Sequence, residues 1–136
     1  MLIQNLKRKT KELKNKGFSN EVIKNYLKEY IQLFILEFLY SNKKYQNLIF
    51  TGGSCLRFCY GLNRLSEDLG LDSFKEINKQ ILSQELKKYF KEKLQYLNLE
   101  ISICGKGEKI YLKFPILKYL ELSALSEGDK LYVKIE

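Results

Sequence analysis

Between residues 22 and 38 apolar side chains recur at intervals of three and four: Val22, Ile23, Tyr26, Leu27, Tyr30, Ile31, Phe34, Ile35 and Phe38. This is the period of an α-helix, and it gathers them onto one wide stripe that another part of the fold must cover. Ser19 stands where an N-cap belongs and Glu21 lies in the first turn, so the helix is expected to run to about Tyr40. Before it, Leu2 to Lys16 carries Lys7, Arg8, Lys9, Lys11, Lys14 and Lys16 against Glu12 alone, with Leu2, Leu6 and Leu13 apolar. This reads as a short basic helix stopped by Gly17.

Past the polar break at 41–46 the pattern changes. Asn47-Leu48-Ile49-Phe50-Thr51 predicts a short buried strand ending at Gly52-Gly53, and Ser54 is expected to open a helix that Gly61 closes. From Ser66 to Phe74, Leu69 and Leu71 alternate with Ser66, Asp68, Gly70 and Asp72, the period of a strand with one apolar and one acidic face. A second amphipathic helix is expected over 75–93, on Ile77, Ile81, Leu82, Leu86 and Phe90. Strands follow at 97–103, 109–114 and 130–136, separated by the turns Gly105-Lys106-Gly107 and Gly128-Asp129. The expected class is α/β (α+β), a mixed sheet flanked by helices, with an N-terminal helical segment, 1–46, packed on a core formed by 47–136.

Composition narrows the chemistry. The chain has no histidine, which excludes Ser-His and Cys-His nucleophiles and histidine metal sites. A catalytic site here has to use carboxylates, lysines, hydroxyls or backbone amides. Of the three cysteines, Cys55 and Cys59 lie four apart on a helix and are expected to be core residues, as is usual for small thiols. Lys and Arg number 24 against 16 Asp and Glu, a net charge of +8 that suits a polyanionic partner or a solvated lysine surface. The basic residues Lys7 to Lys9 follow the first apolar ones, the reverse of a signal peptide, and Ile31 to Tyr40 is interrupted by Gln32 and Glu37. It is far short of the roughly 20 apolar residues of a membrane span, so no membrane association is expected and the cytoplasm is the expected location.

A strand that runs into Gly-Gly-Ser at a helix start lets backbone amides approach a phosphate, and the helix terminus adds positive potential. Asp68, Gly70 and Asp72 share one strand face, and carboxylates so arranged can hold Mg²⁺ against substrate phosphates.

Together these segments, Phe50-Thr51-Gly52-Gly53-Ser54-Cys55-Leu56-Arg57 and Tyr60-Gly61-Leu62-Asn63-Arg64-Leu65-Ser66-Glu67-Asp68-Leu69, resemble the signature of the AbiEii/AbiGii-type nucleotidyltransferase toxins of the DNA polymerase β-like superfamily. Lys44-Tyr45, Lys113-Phe114-Pro115 and the strand Leu131 to Glu136 are similar to the same family, so the resemblance spans nearly the whole chain. It implies that Gly52, Gly53 and Ser54 cradle a nucleoside triphosphate, that Asp68 binds Mg²⁺ or Mn²⁺, and that Arg64 and Ser66 orient the phosphates. Glu136 would be the third acidic group, with Lys134 on the same strand face. The implied reaction moves a nucleoside monophosphate from NTP to an RNA acceptor, with tRNA the expected one, and implied partners include a cognate antitoxin.

Two departures from the family pattern stand out. Gly70 occupies the position of the second acid of Asp-x-Asp, with Asp72 as the alternative metal ligand two residues on, and the chain stops in the strand that should deliver the third acid. The sequence therefore leaves two readings: a nucleotidyltransferase, whether active or silenced by Gly70 and by truncation, or a non-enzymatic nucleotide- and RNA-binding module. In the second, residues 7–16 with Lys43, Lys44 and Tyr45 would hold phosphates and stack bases.

Overall fold

The long apolar stripe forms the helix α2, Asn20–Tyr40, and Ser19 caps it by accepting a hydrogen bond from the Val22 N–H. The basic segment before it is α1, Leu2–Asn15, which buries Leu2, Leu6 and Leu13 and turns its lysines outward. In this computed structural model residues 1–61, 68–73, 75–123 and 128–135 are described. The remaining elements are β1 (Ile49–Thr51), α3 (Gly52–Tyr60), β2 (Asp68–Asp72), α4 (Lys79–Glu92), β3 (Glu100–Cys104), β4 (Lys109–Pro115) and β5 (Lys130–Ile135). The expected mixed α/β architecture is the one observed.

Several boundaries move for local reasons. Helix α3 opens at Gly52 rather than Ser54, because Gly52 takes φ +80°, a conformation in which glycine has no Cβ to clash, and turns the chain out of β1 at once. Helix α4 begins at residue 79 rather than 75, since the Asn78 side chain accepts from the Gln80 and Ile81 N–H groups and fixes the first turn there. Strand β3 starts three residues later than expected, at Glu100.

The sheet runs β1-β2-β5-β4-β3. All its pairings are antiparallel except β2 with β5, which aligns Asp68 with Lys134 and Leu69 with Ile135. Alternation along the strands divides the side chains. Ile110, Leu112 and Phe114 of β4, Leu131, Val133 and Ile135 of β5, and Leu69 of β2 are buried, and they join one core with Ile31 and Ile35 of α2 and Leu86 and Phe90 of α4. Phe114 is fully buried, with its ring 5.5 Å from Phe90 and 5.3 Å from Tyr96. The opposite face carries the alternate residues, among them Asp68, Tyr111, Lys113, Tyr132 and Lys134. Among the described residues no helix is long and apolar enough to cross a membrane.

Two tyrosines are held by this packing. Burial pushes the Tyr96 phenol up, and burial with the nearby Glu85 carboxylate pushes Tyr45 up to about 12 from an ordinary value of 10.0. Between those values the folded chain holds protons that the unfolded chain has released, so stability is full below pH 10 and falls as pH rises toward 12. By pH 11 the loss from Tyr45 should be about 1 kcal/mol. Urea midpoints measured at pH 8 and pH 11 should show that decline, and Tyr45→Phe should flatten it.

Candidate active site

Strand β1 turns into α3 directly beside β2. Thr51, the last residue of β1, precedes α3 and makes no side-chain cap, so its hydroxyl does not take up the first N–H groups of that helix, on Gly52, Gly53 and Ser54. Thr51 also pairs with Gly70 across the β1–β2 ladder, which sets this uncapped helix end against the acidic strand.

Ser54 ties the two together from the inside. Its side chain is almost wholly buried, and its hydroxyl lies 2.5 Å from the Asp68 carbonyl oxygen and 3.3 Å from Gln32 Oε1. The hydroxyl has a single proton, and the shorter contact is the one to which it donates. The Ser54 side chain therefore locks α3 to β2, and its N–H is what remains for a phosphate. Removing the hydroxyl takes this donor from the Asp68 carbonyl oxygen, so Ser54→Ala should lower stability by about 1–3 kcal/mol, read as a reduced urea midpoint.

A second tie joins Arg57 of α3 to Glu29 of α2 through an ion pair in which both side chains are about four-fifths buried. Together these ties decide which side of α3 faces inward, and they correct the expectation for the cysteines. Cys55 is only half-buried and Cys59 is exposed, along with Leu56 and Tyr60.

The Asp68 carboxylate stands on the open face of the sheet with its Oδ2 accepting from Lys134 Nζ at 3.2 Å, while 43% of its side chain remains exposed. The parallel β2–β5 register creates this pair by aligning the two residues. A magnesium ion needs only one or two protein carboxylates when substrate phosphates supply its other ligands, and Asp68 is such a donor. Asp72 is not placed to share that ion. It lies four residues along β2, about 13 Å at the rise of a strand, exposed and opposite Ile49. Among the described residues no group of three or more Asp, Glu or Cys side chains is arranged to hold a metal.

Gly70 fits its surroundings closely. A Cβ built there would meet the Thr51 carbonyl oxygen at 2.9 Å and Thr51 Oγ1 at 3.1 Å. Backbone thus occupies the space that a side chain at this position would need.

Of the residues expected at the site, the structure brings together Gly52, Gly53, Ser54, Asp68 and Lys134. Arg64, Ser66 and Glu136 lie outside the described residues. The base-stacking role expected of Tyr45 is corrected. Tyr45 is buried, 6.0 Å from the Phe38 ring, and its hydroxyl donates to Glu85 Oε1, which also accepts from Lys44 at 2.8 Å. Lys44 and Glu85 line a groove of about 1150 Å³ between α2 and α4, in which the acidic Glu85 already answers the lysine. Sequence reasoning passed over Gln32 and Thr51, whose importance depends on long-range register, and the tyrosines of β4 and β5, which their alternation with buried residues could have revealed.

A protein-family model described as "Nucleotidyl transferase AbiEii toxin, Type IV TA system" matches residues 36–136. No curated protein and no solved structure matches the chain.

Proposed function

The chain belongs to the AbiEii nucleotidyl transferase toxin family, and on that premise we propose that it transfers a nucleoside monophosphate from an NTP to a hydroxyl of an RNA acceptor, with tRNA the acceptor class to test first. The observation that carries this reading is the exposed Asp68 carboxylate, held by Lys134 beside the uncapped start of α3. The hydroxyl oxygen attacks the α-phosphorus and gives up its proton to solvent, the bond from that phosphorus to the oxygen bridging the β-phosphate breaks, and pyrophosphate leaves.

In this reading the N–H groups of Gly52, Gly53 and Ser54 hold triphosphate oxygens. Arg64 and Ser66 orient the phosphates, and Glu136 is the further acidic group. Lys134 fixes the Asp68 carboxylate and brings a positive charge to the phosphates. Mg²⁺ or Mn²⁺, bound by Asp68 and Glu136, would supply charge stabilisation at the attacking and leaving oxygens. A cognate antitoxin is the protein partner that a type IV toxin–antitoxin family implies.

A second reading, binding of nucleotide and RNA without transfer, is favoured by one observation: the Thr51 backbone fills the space where a second carboxylate at position 70 would stand. Incubation of the chain with each labelled NTP, Mg²⁺ or Mn²⁺ and total tRNA separates the two. Label appearing on RNA supports transfer. Salt-sensitive retention of RNA with no label supports binding alone.

A further inference from the structure

The open face of the sheet continues away from Asp68 in an ordered way. Cross-strand register sets Asp68 of β2, Lys134 of β5, Tyr111 of β4 and Ser102 of β3 in one row. The adjoining row holds Tyr132, Lys113 and Glu100. Tyr132 is 47% exposed although it sits in the middle of a strand, and the Lys113 ammonium stands 6.0 Å from its ring centroid. Lys109 and Lys130 extend the same face at the two ends of β4 and β5, Lys130 within 3.0 Å of Glu100. Four lysines thus share this face with three acids, Asp68, Asp72 and Glu100, among its described residues.

We propose that this face is a track for single-stranded RNA, on which bases stack on Tyr132 and Tyr111 while Lys113 and Lys134 meet the phosphates, and that it leads the strand to Asp68. The inference rests on the transfer reaction proposed above and identifies the surface its acceptor uses. An exposed aromatic ring flanked by ammonium groups suits a base and its neighbouring phosphate, and a flat sheet accepts splayed, unpaired bases, whereas a duplex keeps its bases stacked inside. The basic helix α1 is a poorer candidate. The rings beside its lysines, Tyr119 at 5.4 Å from Lys7 and Tyr30 at 5.8 Å from Lys9, belong to no strand of the sheet that carries Asp68.

The test is fluorescence anisotropy with a labelled 12-nucleotide single-stranded RNA, without NTP, on the full chain and on Tyr132→Ala, Lys113→Gln and Lys11→Gln. Each variant is first checked by circular dichroism for retained fold. Tyr132→Ala should bind at least about ten-fold more weakly, within the range for loss of one stacked base. Lys113→Gln should weaken binding and reduce the salt slope by about 0.7. Lys11→Gln, an equal charge change on α1, should alter affinity by less than about two-fold. Unchanged binding by Tyr132→Ala, equal losses at Lys11 and Lys113, or tighter binding of duplex RNA or single-stranded DNA would overturn the track. Unchanged RNA binding by Tyr132→Ala in a chain that still labels RNA would remove the track and leave transfer standing. Binding that depends on Tyr132 without labelling by any NTP would do the reverse.

Discussion

Asp68→Asn should reduce labelling of RNA by at least about 10²-fold while leaving the fold intact. The substitution keeps the shape of the side chain and removes its charge, so it tests the carboxylate rather than the space it fills. The pair with Lys134 is partly exposed, and such pairs contribute at most about 1 kcal/mol to stability, so the urea midpoint should hardly move. The activity loss is expected to be much larger, because the carboxylate would hold the cation that offsets the charge developing on the phosphates in the transition state. The measurement is the single-turnover rate of label transfer with saturating NTP. A rate within ten-fold of the unaltered chain, at an unchanged midpoint, would remove Asp68 from the chemistry.

The second large effect concerns Gly70. By sequence pattern it reads as a missing carboxylate, and Gly70→Asp as its repair. The geometry argues for the opposite outcome, since the new Cβ would lie 2.9 Å from the Thr51 carbonyl oxygen. That oxygen belongs to the strand paired with Gly70 and to the residue just before the Gly52 turn, so it cannot swing aside as a flexible side chain could. Relief requires β1 to move, and the start of α3 moves with it. Gly70→Asp should therefore lower stability by about 1–3 kcal/mol, the usual range for overpacking, without increasing transfer. Gly70→Ala, which adds the same Cβ and no charge, should fall by a similar amount. A Gly70→Asp chain as stable as the unaltered one and faster in transfer would show that position 70 accepts the second acid.

Much of the fold was legible because it follows from local periodicity. The stripe from Val22 to Phe38, the Ser19 cap and the turns Gly105-Lys106-Gly107 and Gly128-Asp129 beside the last strands each depend on residues close in sequence, and each helped to predict its element. The site was legible only as residue types. Ser54 looked like a phosphate ligand, but its hydroxyl is turned inward by Asp68, 14 residues away, and Gln32, 22 residues away. Position 70 could be read as lacking an acid, whereas the reason a side chain does not fit there is the β1–β2 register. The juxtaposition of Asp68 with Lys134 likewise depends on a parallel pairing between segments 66 residues apart. Tyr45 and Tyr132 carry the same ring in lysine-rich stretches, and only packing separates the buried one from the one on the open face.

If the Asp68 face moves a nucleoside monophosphate onto RNA, the position of the label in the NTP decides whether the RNA becomes labelled. Parallel reactions with the same NTP labelled at the α- or the γ-phosphate, followed by gel separation of the RNA, distinguish the bond that breaks. The expected result is α-label on the RNA and γ-label released as pyrophosphate, both lost in Asp68→Asn. Label on RNA from the γ-position, or α-labelling that persists in Asp68→Asn, would contradict it.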